Sequence, residues 1–249
     1  MKDRDFFKGV PFAHRGLHDN KTVPENSLAA FKNAVEHGYG IEFDVYLTDD
    51  GTLIVHHDPS LKRSCGVKLH PEKIRTEDLG KYRLFGTDER IPLFKEVLAL
   101  VDGKIKLIIE IKVTKKYVET CTAVLEALKD YKGDYCLESF DPRAVLFMQE
   151  KRPDLLVGQL YDPNPIQRIY CHRLKTHEKA AFLSASIKTL KSSFYSKVQS
   201  ADPSVAIVTW TIRTQKQLSL AKSKADNFIF ECNAKDDSYI PAPPAISLK

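Results

Sequence analysis

The sequence predicts a closed (β/α)8 TIM barrel, a single domain over residues 1–249 with a β-hairpin and a short insertion after its second strand. Extended apolar runs alternate with helical patterns almost from end to end, the mark of parallel strands joined by crossover helices. Eight such runs remain once one tight hairpin is set aside, because parallel neighbours need a crossover of about a dozen residues or more. A length of 249 residues suits one α/β barrel.

The first strand, residues 10–14, precedes a helix with Leu28, Phe31 and Val35 on one stripe, closed by Gly38. In the second, residues 40–45, Ile41, Phe43, Val45 and the following Leu47 alternate with Glu42, Asp44 and Tyr46. At a period of two the apolar set packs one way and both carboxylates face the other. Thr48-Asp49-Asp50-Gly51 is a turn signal, and residues 53–57 fold straight back. A loop at Asp50-Gly51 sets His57 opposite Asp44, and one at Asp49-Asp50 sets it opposite Glu42; either brings a histidine beside the carboxylates. Residues 59–90 are polar, lack a strong period, and read as a small insertion.

The alternation resumes with a helix carrying Phe94, Val97, Leu98 and Val101 before a strand over residues 106–112. Val118, Cys121, Leu125 and Leu128 mark the helix before strand 135–139, and Ala144, Phe147 and Met148 the helix before strand 155–161. A helix around Ile166, Ile169 and Tyr170 leads to a strand near 182–187. Leu190, Phe194 and Val198 precede strand 205–210, and Leu218 and Ala221 precede strand 228–231. Residues 234–249, with Pro241, Pro243 and Pro244, read as an irregular tail.

The net charge of +5 comes from scattered basic residues, which favours a small anionic substrate and argues against nucleic acid. Five cysteines, Cys65, Cys121, Cys136, Cys171 and Cys232, show no Cys-x-x-Cys pair, so they read as reduced and interior rather than as disulfides or a zinc site. The N-terminus lacks a signal-peptide pattern and no segment approaches the roughly 20 apolar residues of a transmembrane span. A cytoplasmic location is the default expectation, and the sequence sets no oligomeric state.

Barrel active sites lie at the C-terminal ends of the strands. His14, Glu42 and Asp44 belong to that mouth. On the third strand Leu107, Ile109 and Ile111 face the helices while Glu110 and Lys112 point inward. Like charges side by side repel unless a cation sits between them, and three inward carboxylates suit a hard divalent cation, Ca2+ or Mg2+.

Seven pieces carry a resemblance in order: Ala13-His14-Arg15-Gly16, Pro24-Glu25-Asn26-Ser27, Ile41-Glu42-Phe43-Asp44-Val45, Asp50-Gly51 through His57-Asp58, Ile91-Pro92-Leu93, Glu110-Ile111-Lys112 and Thr209-Trp210-Thr211. Together they resemble the glycerophosphodiester phosphodiesterase family. That resemblance implies hydrolysis of glycerophosphodiesters to an alcohol and glycerol 3-phosphate. It implies Glu42, Asp44 and Glu110 as metal ligands, His14 and His57 as the acid-base pair, and Arg15 and Lys112 as phosphate-holding groups. Trp210 could wall the glycerol, or sit as a core tryptophan. Glu25 and Asn26 could join the site, although Asn26 or Ser27 serves equally as a helix N-cap. Asp58 orients His57 or caps the turn with Pro59. His18, His37, His56, His70, His172 and His177 read as surface or structural, with His56 facing away from His57.

Residues 225–231 depart from the family's eighth-strand pattern, keeping an acid but losing its glycine and threonine. The short insertion would leave the mouth more open. Two other functions compete with a metal-dependent glycerophosphodiesterase. One is a lysophospholipase D-like lipid phosphodiesterase, which an apolar groove beside Phe6, Phe7 and the insertion would favour. The other is a catalytically silent phosphate-binding module, for which two histidines and three carboxylates would be superfluous.

Overall fold

The computed structural model describes residues 4–163 and 179–231. Its strands are β1 (Phe12–His14), β2 (Gly40–Leu47), β3 (Leu53–Val55), β4 (Leu107–Ile111), β5 (Tyr135–Ser139), β6 (Val157–Tyr161), β7 (Phe182–Ser186), β8 (Ala206–Ile212) and β9 (Asn227–Phe230). They form one sheet in the order β1-β9-β8-β7-β6-β5-β4-β2-β3, and β1 also pairs with β2, so the sheet closes on itself. Leaving out antiparallel β3, the ring is eight parallel strands, as the alternation predicts. Helices α1 (Leu28–Glu36), α3 (Phe94–Val101), α4 (Tyr117–Ala127), α5 (Pro142–Lys151), α6 (Ser193–Ala201) and α7 (Gln215–Lys224) lie along the chain between barrel strands. The helix expected around Ile166 and the tail 234–249 fall outside the described residues.

The period-two alternation sorts side chains into two environments. Ile41, Phe43, Val45, Leu107, Ile109, Ile111 and Leu137 pack outward against Phe31, Phe94, Val97, Cys121 and Met148 of the helix layer. Inside, Phe12, Ile108, Cys136, Phe182, Val208 and Ile229 fill the N-terminal half of the barrel. Phe7 packs on Phe182 at 4.8 Å between ring centroids, and Phe6 stacks on Phe12. These two phenylalanines therefore close the end opposite the mouth. Each fully buried phenylalanine contributes about 1.5–3 kcal/mol of transfer free energy. Val118, expected on the buried stripe of α4, is 39% exposed, and Val124 is buried there instead.

The hairpin differs from both expected registers. Val45 faces Val55 and Leu47 faces Leu53, leaving Asp49-Asp50-Gly51 as a three-residue connection in which Thr48 N donates to Thr52 O. The pairing extends to His56 N, which donates to Asp44 O at 3.0 Å, so His56 rather than His57 stands opposite Asp44. Strand β3 ends at Val55, and the chain turns so that His57 enters the mouth from beyond the ladder.

The segment 59–90 holds α2 (Lys62–Cys65) and short 3-10 turns. Leu61, Ile74, Leu79 and Leu84 gather on Tyr46, Ile54 and Ile91 in a cluster of their own. Its apolar residues follow no helix or strand period because turns, not regular elements, bring them together. Strand β8 runs two residues beyond its expected end, past Trp210 to Ile212.

Candidate active site

Residues from the C-terminal ends of β1, β2, β4, β5, β6, β7, β8 and β9 line a cavity of about 320 Å³. His14, Arg15, Glu42, His57, Glu110 and Trp210 are among its walls. Asp44 and Lys112 lie just behind them. The structure thus brings all eight residues singled out in the sequence to one mouth.

The first wall follows from a sharp turn after β1. Arg15 adopts φ +58°, a left-handed conformation costing on the order of 1 kcal/mol, and its N–H donates to Glu42 O at 2.7 Å. Gly16 follows at φ +83°, where a Cβ would come within 2.8 Å of Ala30 Cβ, so only glycine lets α1 pack this closely. Ser27, not Asn26, caps α1 by accepting from Ala30 N at 3.1 Å. Asn26 is free to donate through Nδ2 to Asp44 Oδ2 at 2.9 Å.

Register sets the acidic cluster. Asp44 pairs with Glu110 across β2 and β4, and Glu110 pairs with Glu138 across β4 and β5. Glu42, Asp44 and Glu110 are buried, with ligand atoms within 4.8 Å of one another. Lys112 Nζ sits 3.0 Å from Asp44 Oδ1 and 2.7 Å from Glu110 Oε1. Burial, then repulsion from Asp44, Glu110 and Glu138, pushes the Glu42 carboxyl well above the usual carboxylate range. Asp44 goes the other way: burial would raise it, but Lys112, His57 and Arg15 hold it far below. Glu138, missed in the sequence although it alternates with interior Cys136, is pushed up to about 8 by burial and Glu110, and its Oε2 has no hydrogen-bond partner. Four buried carboxylates thus face Lys112 and Arg15, an imbalance that a divalent cation would offset. Hard oxygen donors at this spacing fit calcium or magnesium.

Each histidine is backed by a carboxylate. His14 Nδ1 lies 3.2 Å from Glu231 Oε2, and its Nε2 is 3.9 Å from Glu42 Oε2. Burial, with help from Arg15, lowers His14 to about 4, so its imidazole is neutral at neutral pH. His57 Nδ1 lies 2.7 Å from Asp58 Oδ1, while Arg63 of α2 reaches both Asp58 and Glu25. Glu25 also accepts from Arg15 Nη1 at 2.7 Å, and Arg63 brings it to about 2 against the effect of burial. Arg63 was legible only as one basic residue among many; the fold makes it a brace between two walls. His56 turns away from His57, as expected, to bond Ser64 Oγ at 2.8 Å and Asp58 O at 3.0 Å. Trp210 meets Phe140 edge to face at 5.6 Å and donates through Nε1 to Ser184 O.

A closed parallel barrel with charged and protonatable groups gathered at its C-terminal mouth defines a TIM-barrel enzyme. Residues 14–231 match the model of the glycerophosphoryl diester phosphodiesterase family, and the chain belongs to that enzyme family. It is similar to a glycerophosphodiester phosphodiesterase of Caldanaerobacter subterraneus subsp. tengcongensis, 36% identical over 165 residues that cover 62% of this chain and 67% of the relative. A lysophospholipase D of Rattus norvegicus is 34% identical over 149 residues, 54% of this chain and 46% of that protein, so the chain spans under half of its length. The same fold occurs in an Oleispira antarctica phosphodiesterase solved with sn-glycerol-3-phosphate, at a TM-score of 0.76 and 22% identity, covering 92% of this chain and 94% of that one.

Proposed function

We propose that this chain is a metal-dependent glycerophosphodiesterase that hydrolyses small glycerophosphodiesters to an alcohol and glycerol 3-phosphate. The observation that carries the proposal is the placing of two carboxylate-backed histidines, His14 and His57, in one cavity with the Glu42, Asp44 and Glu110 cluster. Family membership, the name of the bacterial relative and the ligand of the Oleispira structure support the same chemistry.

In this reading Glu42, Asp44 and Glu110 would hold one Ca2+ or Mg2+, which when bound would supply Lewis-acid polarisation of a phosphoryl oxygen. Arg15, at the cavity wall, brings a guanidinium positive charge to the phosphate. Lys112 balances Asp44 and Glu110 and adds positive charge behind them. One histidine removes a proton from the nucleophile, a water or the substrate's own glycerol hydroxyl, as its oxygen bonds to phosphorus. The other protonates the leaving alcohol oxygen as its bond to phosphorus breaks; after attack by the glycerol hydroxyl, water then opens the cyclic phosphate to glycerol 3-phosphate. Trp210 and Phe140 give the cavity an apolar side against which a glycerol carbon chain can lie. Among the described residues no helix is long and apolar enough to cross a membrane.

A lysophospholipase D activity would use the same site with a larger substrate. Against it, Phe6 and Phe7 are spent closing the far end of the barrel. Assays of the purified chain with glycerophosphocholine, glycerophosphoethanolamine and lysophosphatidylcholine, each with calcium or with chelator, separate the two. Turnover of the two glycerophosphodiesters that stops on chelation supports the proposal. Turnover of lysophosphatidylcholine alone favours the lipid enzyme, and the absence of any turnover leaves only a phosphate-binding role.

A further inference from the structure

Glu231 and Arg213, to which the sequence pattern assigned no role, complete the surroundings of His14. They come from neighbouring strand ends: Arg213 follows β8 directly, and Glu231 follows β9, where its N–H donates to Ile212 O at 3.0 Å. Glu231 Oε2 lies 3.2 Å from His14 Nδ1 and accepts from Arg213 Nε at 2.9 Å. The other ring nitrogen of His14 faces Glu42 and the cavity. Across the mouth the arrangement is repeated with different residues. His57 Nδ1 meets Asp58 Oδ1 at 2.7 Å, and Asp58 Oδ2 accepts from Arg63 Nε at 2.6 Å. Each histidine thus has a carboxylate behind Nδ1 and an arginine behind the carboxylate.

We infer that Glu231 is a positioning residue that selects the tautomer of His14, and that Arg213 fixes Glu231 in the pose that does so. An ionised carboxylate can only accept hydrogen bonds. A neutral imidazole carries one proton, so a carboxylate against Nδ1 draws that proton there and leaves Nε2 with the lone pair directed into the cavity. The opposite tautomer would set a lone pair against Glu231. Arg213 donates to Glu231 and its side chain is 43% exposed, so it can be replaced without opening the core.

The inference rests on the proton-transfer role proposed for His14, and two readouts keep the two ideas separate. In the calcium-loaded protein, nitrogen-15 shifts of labelled histidine should show His14 protonated at Nδ1. Glu231→Gln, whose amide can turn its NH2 toward Nδ1, should move that proton to Nε2 and lower kcat by about 10²-fold or more with KM within about twofold. Glu231→Asp should keep more activity than Glu231→Gln. Arg213→Lys should keep more than Arg213→Met, a pair that answers the question even if substitutions at Glu231 fail to fold. A parent His14 protonated at Nε2, or a Glu231→Gln variant with parental kcat, would overturn the inference. A parent protein that hydrolyses no phosphodiester would overturn the proposed function alone, since the tautomer is still read directly.

Discussion

The carboxyls of Glu42 and Asp44 stand on the same inward face of β2 and are driven in opposite directions, Glu42 well above its usual range and Asp44 far below. Both are buried, so burial raises each of them. The difference lies in their partners. Asp44 has Lys112 at 3.0 Å, Arg15 at 3.7 Å and the Asn26 amide at 2.9 Å, whereas Glu42 meets Asp44, Glu110 and Glu138, with Arg15 in partial relief. One side of the cluster is neutralised by the protein, and the other calls for a cation.

Calcium should therefore stabilise the fold. At a hundred times the dissociation constant, binding adds about 2.7 kcal/mol, which for a domain of this size raises Tm by about 5 °C or more. Differential scanning calorimetry with calcium and with chelator checks this. Asp44→Asn and Glu110→Gln should abolish the shift while remaining folded.

Lys112→Met should destabilise the metal-free protein by about 3–5 kcal/mol, because it leaves the buried Asp44 and Glu110 carboxylates without their ammonium. Calcium should recover part of the loss, as chemical denaturation with and without the ion would show. An unchanged unfolding midpoint would mean that the ion pairs contribute little.

Glu138→Gln should make the metal-free protein more stable, and more so at pH 8 than at pH 5. Burial and Glu110 raise the folded value of Glu138 to about 8, above that of the unfolded chain. Its contribution is therefore fully present below the unfolded value near 4.5 and is lost as pH rises through 8. Glutamine removes the titration. Thermal midpoints of both proteins at the two pH values decide it.

His56 gives the opposite sign. Burial lowers it from 6.5 to about 4, and its neutral ring is satisfied by Ser64 and Asp58 O. The unfolded chain takes up a proton first as pH falls, so stability is complete above pH 6.5 and is lost toward pH 4, by on the order of 3 kcal/mol. His14 titrates over the same window, so His56→Gln should flatten the dependence without removing it. Denaturant midpoints from pH 7 to pH 4 measure the slope.

The alternation in residues 40–47 made the carboxylate face of β2 legible, because a strand's period is fixed by backbone geometry. The same parity places Glu138 inward beside Cys136, a signal that was present but weak, since a lone acid in an apolar run also suits a surface strand. The hairpin register was not legible: Asp-Gly fits loops of two and of three residues, and the difference moves His56 into the place expected of His57. Glu231 could not be tied to His14 at all, because 217 positions separate them and only closure of β9 onto β1 brings them together. Arg63 is hidden in the same way: it lies inside an irregular segment, and one of its two carboxylate partners, Glu25, is 38 positions away.

The central claim is that two histidines and a cation at one mouth cleave a glycerophosphodiester, and release of glycerol 3-phosphate from glycerophosphocholine tests it most directly. The parent with calcium should turn over, the parent with chelator should not, and His14→Ala and His57→Ala should each lose about 10² to 10⁴-fold in kcat while keeping calcium-induced stabilisation. Chelator-resistant release, or histidine variants as active as the parent, would contradict the account.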